Sequence, residues 1–158
     1  MQEIPVKALF DSVANFFALG AGLGLAPKAP GTFGTLLGLP LLLLMPPNQL
    51  AYLLVVVVLF VFGVWVCGAC SDYLGVHDHG AIVWDEVVGY LVTMIALPVT
   101  WQWMLAGFVV FRVFDILKPW PISWVDHRVE GGFGIMIDDV LAGLLAAGTL
   151  QIVYRLLG

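Results

Sequence analysis

Long apolar runs separated by polar breaks dominate the pattern of this chain. A helix needs about 20 mostly apolar residues to cross a bilayer, and residues 50–68 approach that length without a charged residue. Residues 138–157 are long enough and mostly apolar after a polar start, while 35–45, 82–97 and 102–117 are shorter or interrupted. Since an open sheet cannot span lipid, the pattern predicts an all-α, polytopic membrane bundle with four or five spans.

The N-terminal stretch, residues 6–25, has a different pattern. Its apolar residues recur at helical spacing, with Asp11, Ser12 and Asn15 between them. This is typical of an amphipathic helix that lies in the membrane interface or packs on the bundle. We therefore predict an N-terminal amphipathic helix ahead of the spans, and a single membrane-embedded domain over residues 1–158.

Composition supports the membrane assignment. Hydrophobic residues make up 61% of the chain and charged residues 11%, whereas a soluble domain is about half apolar and about a quarter charged. The formal charge of −5 comes without a basic run. Because nucleic-acid binding needs a dense basic surface, we expect membrane lipids and no nucleic acid as partners.

The breaks between the apolar runs fall into two kinds. Residues 45–49 and 98–103 are short and uncharged, whereas 26–35, 71–86 and 118–139 are long, polar and glycine-rich. If the chain alternates sides, the three long breaks share one face of the membrane. That face or its helix ends carry five of the six basic residues, Lys7, Lys28, Arg112, Lys118 and Arg128. The positive-inside rule then makes it cytoplasmic.

Two pairs of adjacent carboxylates interrupt the apolar pattern. Asp85 and Glu86 precede one apolar run, and Asp138 and Asp139 stand at the predicted start of the last span. The helix macrodipole favours an acid at such a position by about 0.3–1 kcal/mol, which explains one member of each pair. Neighbouring like charges oppose each other unless a cation lies between them. Mg²⁺ prefers oxygen ligands, so the two pairs indicate a magnesium site.

A third charged segment is FRVFDILKPWP, residues 111–121. Its spacing places Arg112, Asp115 and Lys118 near one another on one helical face. A structural ion pair between Arg112 and Asp115 is one interpretation. The alternative makes Asp115 a further metal ligand or a catalytic base, with Arg112 and Lys118 binding a phosphate.

Two loop motifs add candidate residues. In APKAPGTFGT, residues 26–35, the segment around Gly31 and Thr32 opens a helix and is a candidate anion site, with Thr32 or Thr35 as the helix cap. In VHDHG, residues 76–80, the residues His77, Asp78 and His79 are candidates to bind a metal or move a proton, and a tight polar turn is the alternative.

The CxxC pair, Cys67 and Cys70, ends the most apolar stretch of the chain. A zinc or redox site is one interpretation. Packing on one helical face is the simpler one, because no βαβ pattern surrounds the two cysteines. No arginine follows either cysteine six positions later, and no GxSxG elbow is present. Metal-assisted chemistry on carboxylates is the enzymatic class that remains.

An ion or proton transporter is the alternative from another functional class. Its intramembrane carboxylates would mark a pathway near the membrane midplane. The acids of this chain instead gather at the predicted helix ends, and residues 50–67 and 140–150 carry no charge. The pattern therefore favours an enzyme over a transporter.

Four motifs in order carry a resemblance to a known family: APGTFGT (29–35), GVHDHGAIVWDE (75–86), FRVFDILKPWPI (111–122) and GGFGIMIDD (131–139). Between residues 20 and 143 the chain resembles phosphatidylglycerophosphatase A, a lipid phosphatase of the bacterial inner membrane. The resemblance implies an all-helical protein acting at the cytoplasmic leaflet. It also implies Mg²⁺-dependent hydrolysis of phosphatidylglycerol phosphate to phosphatidylglycerol and inorganic phosphate.

The family's acidic motifs fall on Asp85, Glu86, Asp115, Asp138 and Asp139, which we predict to be the metal ligands. We predict that the phosphate is bound by Gly31, Thr32, Arg112 and Lys118. We predict that the catalytic residues are Asp85, Asp115, Asp78 and His79. Attack by water and an aspartyl-phosphate on Asp85 or Asp115 both stay open, and the sequence predicts no oligomeric state.

Overall fold

The computed structural model describes residues 4–157, and within that range it contains helices and no strand. The prediction of an all-α fold is confirmed. The α-helices are α1 (Ala8–Asp11), α2 (Val13–Ala18), α3 (Pro30–Leu44), α4 (Gln49–Leu74), α5 (Trp84–Thr93), α6 (Trp101–Leu117), α7 (Ile122–Asp126) and α8 (Gly131–Leu157), with a 3-10 helix (Gly20–Leu25) between α2 and α3.

Helix length separates two helices from the others. In residues 4–157, α4 and α8, with 26 and 27 residues, are the helices long and apolar enough to cross a membrane. Helices α3, α5 and α6 have 15, 10 and 17 residues. At 1.5 Å per residue they are about 23, 15 and 26 Å long, less than a hydrocarbon core of about 30 Å. The predicted four or five spans are therefore not confirmed.

The N-terminal segment differs from the prediction of one continuous amphipathic helix. Ser12 has an extended backbone (φ −155°, ψ 156°), and its hydroxyl accepts the Asn15 N–H at 3.0 Å, so α2 starts anew after α1. Positive φ angles at Gly20, Ala21 and Gly22 then turn the chain into the 3-10 helix. The segment contains two short helices because its backbone changes direction at these points, and α2 packs against α4.

Helix α8 is the central element, and it contacts α4, α5, α6 and α7. Its contact with α5 is close: a Cβ on Gly143 would lie 2.4 Å from the carbonyl oxygen of Gly89. Small residues allow helix backbones to approach in this way. The close approach places the carboxylates of α5 beside those of α8.

Helix α5 ends inside the bundle, where its last carbonyls need hydrogen-bond donors. The Tyr52 hydroxyl donates to the carbonyl of Leu91 at 2.7 Å. The Gln151 side chain donates to the carbonyl of Ile95 at 2.9 Å. The Tyr52 bond satisfies one of the last carbonyls of this 10-residue helix, and the Gln151 bond satisfies a carbonyl just beyond its end.

The polar segments meet at one end of the bundle. The Gly131 N–H, at the start of α8, donates to His77 Nε2 at 3.0 Å, which joins the loop after α4 to α8. Arg112 of α6 lies 3.7 Å from Glu86 of α5. The polar breaks that the sequence places on one membrane face are therefore neighbours in the fold.

The two cysteines lie within α4 and are fully buried and free. The Cys67 sulfur lies 3.8 Å from the sulfur of Met136 in α8. This is the packing arrangement that the sequence analysis judged the simpler alternative to a zinc or redox site.

Candidate active site

Three carboxylates from α5 and α8 form the first charged cluster, called here the α5–α8 group: Asp85, Glu86 and Asp139. Each offers an oxygen, and these oxygens lie within 4.8 Å of one another. Asp85 and Asp139 are 6% and 3% exposed. Asp85 Oδ1, Glu86 Oε2 and Asp139 Oδ2 are buried without a hydrogen-bond partner among the described residues. Burying ionised groups without partners costs several kcal/mol each, so the group has the chemistry of a cation site.

The helix macrodipole accounts for only part of this group. Asp85 and Glu86 lie in the first turn of α5, where the positive end of the dipole stabilises acids. The prediction that Asp138 and Asp139 begin their helix is wrong, because α8 starts at Gly131. Since the dipole effect fades beyond the first turn, Asp139 must be stabilised by something else.

An arginine of α6 borders the α5–α8 group. Arg112 Nη1 donates to the Asp115 carboxylate and lies 3.7 Å from Glu86 Oε1. The Arg112 Nε is buried without a hydrogen-bond acceptor in residues 4–157. The ion pair with Asp115 is therefore present, and it leaves one arginine N–H free for an anion.

Helix α3 approaches the same place through Gly31. A Cβ at this position would lie 2.1 Å from Glu86 Oε1 and 2.9 Å from Arg112 Nη1. Residue 31 therefore has to be glycine for the Glu86 and Arg112 side chains to lie where they do.

The threonines of this segment do not cap α3, contrary to the prediction. Helix α3 begins at Pro30, after Ala29 in the left-handed conformation (φ 50°), and no side chain caps it. The Thr35 hydroxyl donates to the Gly31 carbonyl at 2.9 Å. The Thr32 N–H donates to the Ala29 carbonyl at 3.0 Å. A proline at the first helical position supplies the helical φ that the start of α3 needs, and the Thr32 N–H is already in use.

A second cluster, called here the Lys118 group, consists of Asp78, Asp126 and Asp138 around one ammonium. One oxygen of each carboxylate lies within 4.8 Å of the others. Lys118 Nζ donates to Asp126 at 2.7 Å and to Asp138 at 2.6 Å. Desolvation by burial alone would lower the pKa of Lys118, but the charges of Asp138 and Asp126 raise it above its ordinary value. The lysine is therefore a permanent cation in this group.

Asp126 is a residue that the sequence analysis missed. It lies at the end of α7, and no spacing relates it to the other acids. Burial alone would raise its pKa, but the hydrogen bond and the charge from Lys118 hold that pKa below its ordinary value. The sequence feature that could have identified it is its place in the polar break 118–139, together with other charged residues.

The VHDHG loop contributes to both the structure and the site. His77, which the sequence makes a candidate to bind a metal or move a proton, accepts the N–H that starts α8. His79 Nδ1 accepts the Ala81 N–H at 3.2 Å. His79 and Pro30 also line a mainly apolar cavity of about 360 Å³. Asp78 joins the Lys118 group, so the loop connects the two ends of the charged region.

The predicted site residues thus fall in distinct places. Asp85, Glu86 and Asp139 share one group, while Asp78 and Asp138 belong to the other together with Lys118. Arg112 and Asp115 lie beside the first group as an ion pair. Gly31 contacts it, His79 lines the cavity of about 360 Å³, and the Thr32 N–H is bonded to the Ala29 carbonyl.

The family model for phosphatidylglycerophosphatase A matches residues 16–154. The chain belongs to this family. A protein of Escherichia coli strain K12 named phosphatidylglycerophosphatase A is 50% identical over 142 residues, which are 88% of this chain and 82% of the relative. A protein of the same name from Haemophilus influenzae is 47% identical over 135 residues, or 84% of this chain and 83% of the relative.

A third relative of the chain has a different name. It comes from Bacteroides thetaiotaomicron, carries the provisional name phosphatidylinositol-3-phosphatase, and is 39% identical over 134 residues, which are 79% of this chain and 83% of the relative. No solved structure matches the chain significantly. Family membership identifies the chain as an enzyme of the phosphatase class.

Proposed function

We propose that the chain hydrolyses the terminal phosphomonoester of phosphatidylglycerol phosphate, with Mg²⁺, to phosphatidylglycerol and inorganic phosphate. Family membership and the names of two relatives support the substrate. The α5–α8 group supports the metal. The observation that carries the proposal is its three buried carboxylate oxygens without hydrogen-bond partners in the described part of the chain.

The residues of the α5–α8 group suit Mg²⁺, because that ion takes carboxylate oxygens and keeps several waters. Asp85, Glu86 and Asp139 would hold it, and Asp115 and Asp138 lie nearby as further acids. When bound, the ion would supply positive charge to the phosphate and lower the pKa of a water. Without a cation, three buried carboxylates would face each other with one arginine 3.7 Å from Glu86.

Two basic residues are placed to bind the phosphate. Arg112 has a buried Nε without an acceptor among residues 4–157. The Lys118 ammonium uses two of its three N–H donors on Asp126 and Asp138. One donor on each residue would be available to the equatorial phosphate oxygens, where negative charge is stabilised in the transition state.

The leaving glycerol oxygen needs a proton when the phosphorus–oxygen bond breaks. Since His79 Nδ1 accepts a backbone N–H, the neutral ring carries its proton on Nε2. We propose that the proton for the leaving oxygen comes from the attacking water and that His79 Nε2–H donates a hydrogen bond to that oxygen, so that the ring keeps its proton. The cavity of about 360 Å³ beside His79 would take the glycerol and the first part of the lipid. Asp78 would then not transfer this proton itself, and it would affect the transfer only through the residues around it.

Bacterial relatives and two long apolar helices indicate a membrane protein. We propose further that it is a multi-pass protein of the bacterial inner membrane, built as one domain, with its site on the cytoplasmic side. The shorter helices α3 and α5, which begin at the polar end, and α6, which ends there, would add further spans, which brings the total to the predicted four or five. Lys7, Lys28 and Arg128 belong to the loops at this end, while Arg155 lies in the last turn of α8.

The test is phosphate release from phosphatidylglycerol phosphate in detergent micelles. Release should require Mg²⁺, stop with excess EDTA and return when Mg²⁺ is restored. Asp85→Asn and Asp139→Asn should lower kcat by at least about 100-fold, since each removes a proposed ligand. Asp72→Asn is the matched control, because Asp72 is exposed and lies outside both carboxylate groups. Full activity in EDTA would refute the metal assignment.

A second substrate arm addresses the lipid headgroup. Phosphatidylinositol 3-phosphate offers the same chemical group on another headgroup, and the name of the Bacteroides relative refers to it. We expect slower release from this lipid. Release from neither lipid by folded protein would overturn the phosphatase proposal and leave the transporter alternative, for which ion flux into liposomes is the assay.

A further inference from the structure

The position of Lys118 is unusual for a lysine. It ends α6 in the left-handed backbone conformation, with φ 39° and ψ 57°. This position after a helix normally favours glycine, because a side chain strains the left-handed backbone. The conformation directs the lysine toward Asp126 and Asp138, which lie on α7 and α8. A backbone strained at this residue indicates that its side chain, rather than the turn alone, is needed there.

The Lys118 group has the ligand arrangement of a metal site. Its three carboxylates come from the VHDHG loop, α7 and α8. One oxygen of each lies within 4.8 Å of the others, as in the α5–α8 group. The two groups differ in their cation. The ammonium bonds to two of the three carboxylates in the Lys118 group, whereas the α5–α8 group has a guanidinium only at 3.7 Å from Glu86.

We propose that the Lys118 ammonium takes the place of a second divalent cation in this enzyme. It provides one positive charge and donors to Asp126 and Asp138, and its remaining N–H would be available to the phosphate. The Lys118 group would therefore bind no metal in the native protein. Removing the ammonium would leave three carboxylates without compensation, which is a site for a divalent ion.

This inference rests on the proposed function only for the ion in the α5–α8 group. The experiment compares the number of bound ions between variants, so it can refute the role of the Lys118 ammonium without refuting the metal in the α5–α8 group, and the reverse. Mn²⁺ is titrated into the detergent-solubilised protein, and free Mn²⁺ is measured by electron paramagnetic resonance. Lys118→Met should bind one Mn²⁺ per chain more than the native protein, and Lys118→Met/Asp126→Asn should lose that additional ion. Lys118→Arg keeps the positive charge and should bind the native number.

A second arm does not require a variant at Lys118. Asp126→Asn in the native background should leave the number of bound Mn²⁺ unchanged, because an ammonium and not a metal occupies the group. Loss of one ion in Asp126→Asn, or equal numbers in Lys118→Met and the native protein, would overturn the inference. A native protein that binds no Mn²⁺ would instead overturn the metal proposal for the α5–α8 group.

Discussion

Gly31→Ala tests whether the position of the Glu86 carboxylate governs catalysis. Gly31 is buried at the start of α3, and its backbone is helical, so alanine is compatible with the conformation. The added Cβ would lie 2.1 Å from Glu86 Oε1 and 2.9 Å from Arg112 Nη1. Both atoms are the far ends of flexible side chains. The substitution should therefore move these two side chains and leave the helices where they are.

The size of the effect follows from the contact distance. Glu86 Oε1 must move by about 0.9 Å to reach 3.0 Å, the distance below which real Cβ contacts are essentially never found. A misplacement of about 1 Å can cost about 100-fold in rate, equivalent to about 2.7 kcal/mol in the activation free energy. Replacing glycine by alanine in a helix adds up to about 1 kcal/mol of stability. Activity should fall while the unfolding midpoint stays the same or rises.

The assay is phosphate release at saturating Mg²⁺ and lipid substrate, with thermal unfolding in the same detergent. Gly148→Ala is the matched control, because a Cβ there meets nothing within 4 Å in the described structure. It should keep full activity. Activity of Gly31→Ala within twofold of the native enzyme would refute a role for the Glu86 position. A strongly lowered unfolding midpoint would show that flexible side chains do not absorb the contact.

Three further predictions concern stability, each measured by thermal unfolding in detergent. Gly143→Ala should lower the midpoint strongly, because its Cβ would meet a backbone carbonyl of α5 at 2.4 Å that cannot move alone. Tyr52→Phe leaves a buried α5 carbonyl without its donor and should cost about 1–3 kcal/mol, more than Tyr73→Phe, whose bond is exposed. The Lys118 ion pair lowers the Asp126 pKa, so it stabilises the fold above the ordinary carboxylate pKa. The native protein should therefore unfold at a higher midpoint than Asp126→Asn at pH 7, and this difference should disappear as the pH falls below about 4.

The helices that the sequence located best are those whose ends depend on local signals. The predicted runs 50–68 and 102–117 lie within α4 and α6, because uninterrupted apolar residues are bounded there by polar ones. The predicted run 82–97 extends beyond the end of α5, which is at Thr93. Side chains from distant helices satisfy carbonyls here: Tyr52 donates to Leu91 in the last turn of α5, and Gln151 donates to Ile95 just beyond its end. The local pattern of residues 82–97 could not predict these bonds, because both donors come from other helices.

The start of α8 was predicted too late because its first residues, GGFGIMI, have the composition of a loop. In the fold, a Cβ on Gly132 would lie 1.9 Å from the Val64 carbonyl oxygen of α4. The glycine is there for helix contact rather than for a turn. A close approach between two helices is a tertiary property, so composition alone could not distinguish the two uses.

Most acids of the site were predicted from the sequence, but Asp126 was missed and the division of the acids between two charged groups was not predicted. Adjacent residues on a helix point about 100° apart, so Asp138 and Asp139 cannot share one ligand position. Asp138 bonds to Lys118, while Asp139 joins Asp85 and Glu86. The pair is therefore the boundary between two charged groups rather than a doubled ligand. This division explains why two carboxylates stand side by side in an apolar helix, since each belongs to a different charged group.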